Sequence, residues 1–296
     1  MTPATSTAAI SEPAFACPLC DAGSRRALLV AGYWIRQCDG CGHQFAEIVI
    51  DEAHVRSVYG DAYFRCGGDG YADYLAEGPL LIDRGRRYAR LLGRHRSPGS
   101  VLDVGAAAGF TLRGFATAGW RPAGVEPNAT MARYAREQVG MPVANASFES
   151  WTPDQPYDLV TMFQVLPHLG DPRRALDLAR AALVDDGLLL IETWDRCSLT
   201  ARLLGKQWHE YSPPSVLHWF TKAGLIRLAE AVGLRTVASG RLAKWIRASH
   251  AKSLLQSKSA RSPISRWMLA ATRWIPDGAA LPYPAEDLFW LLLERR

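Results

Sequence analysis

Short, largely apolar runs recur along the middle of the chain with helix-patterned stretches between them. V-L-D-V (101–104), R-P-A-G-V-E (121–126), Y-D-L-V-T-M-F (157–163) and G-L-L-L-I-E-T-W (187–194) are of strand length. F-T-L-R-G-F-A-T-A-G (110–119), A-T-M-A-R-Y-A-R-E-Q-V-G (129–140) and D-P-R-R-A-L-D-L-A-R-A-A-L (171–183) carry helical spacing. Strands without polar alternation, each followed by a helix, predict a parallel sheet covered on both faces, a doubly wound α/β fold. A further helix, T-K-A-G-L-I-R-L-A-E-A-V-G, precedes G-L-R-T-V-A-S-G, and D-L-F-W-L-L-L-E-R-R predicts a last strand at the C-terminus.

The earlier part of the chain reads differently. Residues 1–14 contain no basic residue and no apolar core, which predicts a disordered leader rather than a secretory signal, and so a cytoplasmic protein. Residues 15–48 hold C-P-L-C (Cys17, Cys20) and C-D-G-C (Cys38, Cys41), seventeen residues apart, the spacing of a four-cysteine zinc ribbon. Four thiolates close a tetrahedral site, so the expected Zn²⁺ is structural. His43 adjoins the second pair as a substitute ligand, and Cys66 and Cys197 read as ordinary partly buried thiols. Residues 49–97 predict a helical connector or lid ending at Pro98-Gly99, after which residues 98–296 form the main domain.

Charge adds one feature. The 296 residues carry a formal net charge of +5. Nine basic residues and no acidic one lie between Glu230 and Asp277, leaving the rest of the chain mildly acidic. Residues 241–283 therefore predict a basic helical insertion before the last strand. In its second helix Ile264, Trp267, Met268, Ala271, Trp274 and Ile275 share one face. It reads as a lid or interface helix, or as a contact for an anionic partner: a nucleotide-linked or lipid-linked acceptor, or a membrane surface. Nucleic acid is not implied, because the remaining body is acidic.

The loop G-A-A-A-G (105–109) follows the first strand of the sheet, where ligands bind in such folds. Glu126 ends the second strand, twenty-one positions after Gly105, where a carboxylate can accept hydrogen bonds from ribose hydroxyls. A dinucleotide fingerprint needs glycine at 107 and 110, which here are Ala107 and Phe110, so a pyrophosphate ligand loses support. S-adenosylmethionine has no pyrophosphate and needs a less bare loop; Asp103 can orient its ammonium.

On V-L-D-V-G-A-A-A-G, G-V-E-P-N, Y-D-L-V-T-M-F-Q-V-L-P-H-L-G-D-P, G-L-L-L-I-E-T and K-Q-W-H-E-Y-S-P-P-S-V-L-H-W-F-T, the sequence resembles the class I S-adenosylmethionine-dependent methyltransferases. With the N-terminal ribbon it is similar to a bacterial branch that methylates sugars, polysaccharides and other small molecules. The resemblance implies a mostly parallel seven-stranded sheet. It also implies donor contacts from Asp103, Gly105, Ala106, Gly109 and Glu126, with Phe148 near the adenine and Phe163 near the amino-acid tail. Pro167 stands where the family has Glu, and Val216 where relatives carry a histidine.

For chemistry, His168 is the leading base, since its loop opens on the same crevice, with His209 and Tyr211 as alternatives. Trp208, His209, Tyr211 and His218 can wall an acceptor pocket or form a packed plug. The expected reaction is O-methylation of a sugar hydroxyl. C-methylation of a nucleotide-linked keto-sugar and a non-catalytic adaptor are the alternatives.

Overall fold

The structure is a computed structural model describing residues 15–50, 54, 57–64, 73–259, 263–272, 274–283 and 286–295. The expected leader and Cys66 lie outside the described residues, and Cys197, expected to be partly buried, is exposed because it falls in a surface turn. The ribbon opens with an antiparallel hairpin, β1 (Ser24–Val30) and β2 (Tyr33–Cys38), followed by β3 (Gln44–Ala46). Ala31 and Gly32 both take positive φ at the hairpin turn, as a type I′ turn requires.

Helix α1 (Gly78–Leu92) precedes the sheet. Then come β4 (Ser100–Val104), α2 (Phe110–Ala116), β5 (Arg121–Glu126), α3 (Ala129–Tyr134), β6 (Val143–Asn145) and β7 (Tyr157–Phe163). Next are α4 (Pro172–Ala181), β8 (Leu183–Trp194), α5 (Leu199–Leu204), β9 (His218–Trp219), α6 (Lys222–Ala231) and β10 (Leu234–Gly240). The chain closes with β11 (Lys244–Arg247), α7 (Ala248–Ser259), α8 (Pro263–Thr272), β12 (Ala280–Tyr283) and β13 (Leu288–Arg295).

The seven-stranded sheet runs β6-β5-β4-β7-β8-β13-β10. β4 pairs in parallel with both β5 and β7, so strand order reverses beside β4. Only β13 runs antiparallel to its neighbours, β8 and β10. Alternate residues feed two cores. Leu102, Val104, Val160, Met162, Leu189 and Ile191 face α4 and α6, while Val101, Leu159, Leu188 and Leu190 face α1 and α2. The helices start where side chains cap them: Asn128 accepts from the Met131 N–H, Asp171 from Arg174 and Thr221 from Gly224. α1 crosses α2 at Gly85 and Gly114; a Cβ on Gly85 would lie 2.2 Å from the Thr111 carbonyl oxygen, so glycine sets this close approach.

Three features escaped the sequence pattern. β6 has only three residues. The ribbon is completed by the main domain, because β3 pairs with β9 through Gln44↔Trp219 and Phe45↔His218. The insertion, expected to be helical, also contains the two-stranded sheet β11–β12, which brackets α7 and α8. Two tryptophans on the expected apolar face of the second basic helix, Trp267 and Trp274, are 73% and 81% exposed, so that face is not a buried seam. No helix among the described residues is long and apolar enough to cross a membrane.

Candidate active site

The G-A-A-A-G turn leaves β4 with Gly105, Ala107 and Gly109 all at positive φ. A Cβ on Gly105 would stand 2.5 Å from Val165 Cγ2, so the turn closes tightly against the loop after β7. Ala107 holds its left-handed conformation at a cost of about 1 kcal/mol. Its N–H donates to Glu126 Oε2 at 2.9 Å, which offsets part of that cost. The other carboxylate oxygen, Oε1, accepts the N–H of Asn128 at 2.8 Å. Glu126 thus ties the first and second loops together at the topological switch.

Asp103 lies beside it, accepting the Thr161 hydroxyl at 2.6 Å. Burial raises both carboxyl groups to about 7, and for Asp103 Thr161 and the nearby Arg84 oppose the rise. A buried carboxylate that faces a cavity and has no ion-pair partner among the described residues suits a ligand that brings hydroxyls and an ammonium. That is the chemistry of the adenosyl donor, and the residues present fit it.

A cavity of about 340 Å³ opens above these groups. Asp103, Gly105, Ala106, Ala107, Glu126, Phe148 and Phe163 line it together. Gly109 does not line it; it sits behind the turn, where a Cβ would meet Met141 and Ala135. The same cavity continues past Gln164, His168, Trp194, His209, Glu210 and Lys244.

His168 is engaged on one side. Its Nδ1–H donates to the Ser215 carbonyl oxygen at 2.6 Å, with the Tyr59 hydroxyl 3.2 Å from Nδ1, and the Tyr59 ring stands edge-on to it. Burial lowers its pKa below the ordinary imidazole value, against the Ser215 and Gln164 carbonyls, which raise it, so the neutral ring with its proton on Nδ1 is favoured. His209 packs edge-on to Trp194 at 4.7 Å, between Glu210 (3.3 Å) and Asp287 (3.8 Å). Tyr211 is turned away: its hydroxyl donates to Gln44 Oε1 in the ribbon at 2.6 Å, and it does not line the cavity. Trp208 is 2% exposed and donates to Asp287 Oδ2 at 2.7 Å. Of the four residues Trp208, His209, Tyr211 and His218, His209 alone reaches the cavity; Trp208 and Tyr211 pack together in a plug with Trp219, and His218 stacks on His43 and Phe220 instead.

Sequence reasoning missed a buried network around Glu192 at the end of β8. Its carboxylate takes the Arg84 guanidinium and the Tyr88 hydroxyl, and Gln164 Nε2 donates to Oε1 at 3.0 Å. Arg84 also lies 5.6 Å from the centroid of the Phe163 ring. Two signals were available, a Glu in an otherwise apolar strand and an Arg on the apolar side of an amphipathic helix. Neither names its partner, because 104 and 108 residues separate Tyr88 and Arg84 from Glu192.

In the ribbon, the sulfurs of Cys17, Cys20, Cys38 and Cys41 all lie within 4.8 Å of one another. Cys17 Sγ is 3.6 Å from Cys41 Sγ, and Cys20 Sγ is 3.5 Å from Cys38 Sγ. A tetrahedron with zinc–sulfur bonds of about 2.3 Å has edges of about 3.8 Å, so the donor set fits zinc. The N–H groups of Leu19, Gly40 and Cys41 point at Cys17 and Cys38, as thiolates require. His43 is no part of this cluster; its Nε2 lies 3.2 Å from His218 Nδ1, in the seam between ribbon and main domain.

Comparison with known proteins agrees with this geometry. A family profile described as a methyltransferase domain matches residues 75–239, more than half of the chain. Ubiquinone biosynthesis O-methyltransferase from Coxiella burnetii is 26% identical over 176 residues, covering 53% of this chain and 73% of that protein. The protein of the same name from Actinobacillus pleuropneumoniae is 25% identical over 174 residues, covering 50% and 72%. Among solved structures, magnesium protoporphyrin IX methyltransferase from Synechocystis with bound SAH superposes with a TM-score of 0.53 at 15% identity. It covers 83% of this chain and 100% of that one. A putative methyltransferase complexed with the Haloferax volcanii Trm112 activator gives 0.53 at 16% identity, covering 83% and 99%. At such identities the two structures share the fold.

Proposed function

The chain belongs to the class I S-adenosylmethionine-dependent methyltransferases, and from that premise we propose that it methylates a hydroxyl of a small-molecule or glycan acceptor, with a sugar ring as the preferred substrate. The observation that carries the reading is the continuity of the cavity. Its donor end, between Asp103 and Glu126, runs into a chamber where Trp194 offers an aromatic face and Gln164, His209 and Glu210 offer polar groups. An aromatic platform ringed by hydrogen-bonding side chains suits a hydroxylated ring. Oxygen rather than carbon is favoured by the relatives, which are named O-methyltransferases. Family membership sets the adaptor alternative aside.

S-adenosylmethionine, when bound, supplies a methyl group already activated on a sulfonium. The protein then has to hold both partners in line and keep water out. In this reading Glu126 holds the ribose hydroxyls, Asp103 the ammonium, Phe148 the adenine and Phe163 the tail. The connector serves as a roof: Tyr59, Tyr63 and Phe64 line the cavity, and Asp61 takes hydrogen bonds from Asn128 Nδ2 and the Thr130 hydroxyl. The four cysteines hold a structural zinc that shapes the ribbon. The exposed Trp267 and Trp274, in a basic insertion, support contact with an anionic carrier of the acceptor.

The test is incubation of the protein with S-adenosylmethionine labelled in its methyl group and an extract of the producing cells. Label entering a glycan or glycolipid fraction, and lost with Glu126→Ala, is expected. Label confined to an aromatic or quinone fraction would replace the sugar reading, and its absence from every fraction would overturn methyl transfer to a hydroxylated acceptor.

A further inference from the structure

Lys244 enters the chamber from β11, the first strand of the insertion's two-stranded sheet, where it is registered opposite Tyr283. Its Nζ lies 4.8 Å from the centroid of the Trp194 ring and 3.5 Å from Gln164 Oε1. Those two residues end β8 and follow β7, so the amine stands above the C-terminal ends of two central strands, in the cavity that the 105–107 turn also lines. The placement is enforced from below. Gln164 Nε2 is committed to Glu192, which turns the amide oxygen toward Lys244, and Glu192 is itself held by Arg84 and Tyr88. A lysine oriented by part-buried bonds that lead back to the buried Glu192 belongs to the wall of the chamber, whereas by sequence it counts only as one of nine basic residues.

We propose that Lys244 is the catalytic proton acceptor for the hydroxyl that is methylated. The proposal rests on the methyl-transfer reading above. Groups from every surrounding element face the amine: Arg84 from α1, Glu77 from the turn before it, Glu210 and Asp287 from the loops before β9 and β13, and His250 from α7. Burial and Arg84 disfavour the ammonium, while Glu210, Asp287 and Glu77 favour it. Burial wins, and the lysine comes down to about 7. A base serves best when its pKa lies near the working pH, because the free amine is then populated and still strong enough to take a proton. His168 is less suited: the Ser215 and Gln164 backbone engages its ring, and burial holds its pKa below the ordinary imidazole value.

Atoms and electrons balance in the proposed methyl transfer. The hydroxyl proton passes to the Nζ lone pair as the oxygen forms its bond to the methyl carbon, and the electron pair of the breaking carbon–sulfur bond returns to sulfur. The products are a methyl ether and S-adenosylhomocysteine, and the ammonium of Lys244 gives its proton to water after they leave.

Two measurements on the full chain test this. Competitive acetylation with acetic anhydride between about pH 5 and pH 11, read by peptide mass spectrometry, is expected to show Lys244 half-reactive near pH 7, well below ordinary lysines at about 10.4. In the labelled-methyl assay, Lys244→Met is expected to slow transfer by about 10²–10⁴-fold with unchanged affinity for S-adenosylhomocysteine. Lys244→Arg, charged but never a base, is expected to be equally slow. Titration of Lys244 with the surface lysines, or full activity in Lys244→Arg, overturns the proposal. If the unsubstituted protein transfers no label, the methyl-transfer reading fails, and the acetylation profile still decides the state of Lys244.

Discussion

Asp103 and Glu126 make the donor end of the cavity sensitive to pH. Burial raises both to about 7, from ordinary values of 3.8 and 4.5. In the unliganded fold each therefore keeps its proton to a higher pH than in the unfolded chain. The stability this gives is complete below about pH 4 and is lost as pH rises through 7. Donor binding runs the opposite way, because an ammonium and a ribose diol favour the carboxylates. Affinity for S-adenosylhomocysteine is expected to rise with pH and level off above 7, weakening by about tenfold per pH step below that for each carboxyl that must ionise. Calorimetric titration across this range checks it, and Glu126→Gln should bind more weakly with a shallower slope; a flat profile for the unsubstituted protein would refute the ionisation argument. These two acids were legible in the sequence because each sits at a fixed distance from a glycine turn. Lys244, Arg84 and Glu192 were not, since their meaning comes from partners about 80 to 110 residues away.

At the level of elements, the strands β4, β7, β8 and β13 were legible because largely buried apolar runs leave little ambiguity, and β5, half exposed at its start, was legible from its place between two helix-patterned stretches. β9 and β11 were not, because a two-residue bridge and a four-residue strand are defined by their partner and not by their own pattern. One strut between legible strands carries a measurable load. Asp158, near the start of β7, accepts the N–H and the hydroxyl of Ser100 at 2.8 Å each and the Arg96 guanidinium at 2.6 Å. Burial pushes its pKa up, but these donors outweigh burial and bring it down to about 2 from 3.8. A depressed carboxyl adds stability above its ordinary pKa and loses it as pH falls through the folded value. The difference corresponds to about 2 kcal/mol. Asp158→Ala is expected to lower the unfolding free energy by about that much at neutral pH, measured by urea titration, with the gap closing toward pH 2. A neutral-pH loss below about 0.5 kcal/mol, the range of an ordinary surface substitution, would mean that the strut carries no load.

Across the whole molecule, the ribbon and the main domain share one sheet, and this links the four-cysteine cluster to the wall of the cavity. β3 is hydrogen-bonded to β9, Ala46 N–H donates to the Leu217 carbonyl, Tyr211 reaches Gln44 and Arg196 holds the Gly42 carbonyl. Leu217 in turn donates to the Pro167 carbonyl, next to His168, and Val216 lines the cavity. The proposed donor end is built mainly on β4, β5 and β7, and the ribbon reaches it indirectly, through the loop of Val165 and Pro167. A ribbon this small has little core of its own, so its fold should depend on the ion. The purified chain is expected to carry one zinc per molecule by elemental analysis. Stripping it with a chelator should lower the melting temperature and abolish methyl transfer while S-adenosylhomocysteine still binds, and adding zinc should restore both. Chelation that leaves transfer intact would separate the ribbon from the chemistry, and loss of donor binding along with transfer would show that the ribbon supports the whole sheet and not the acceptor wall alone.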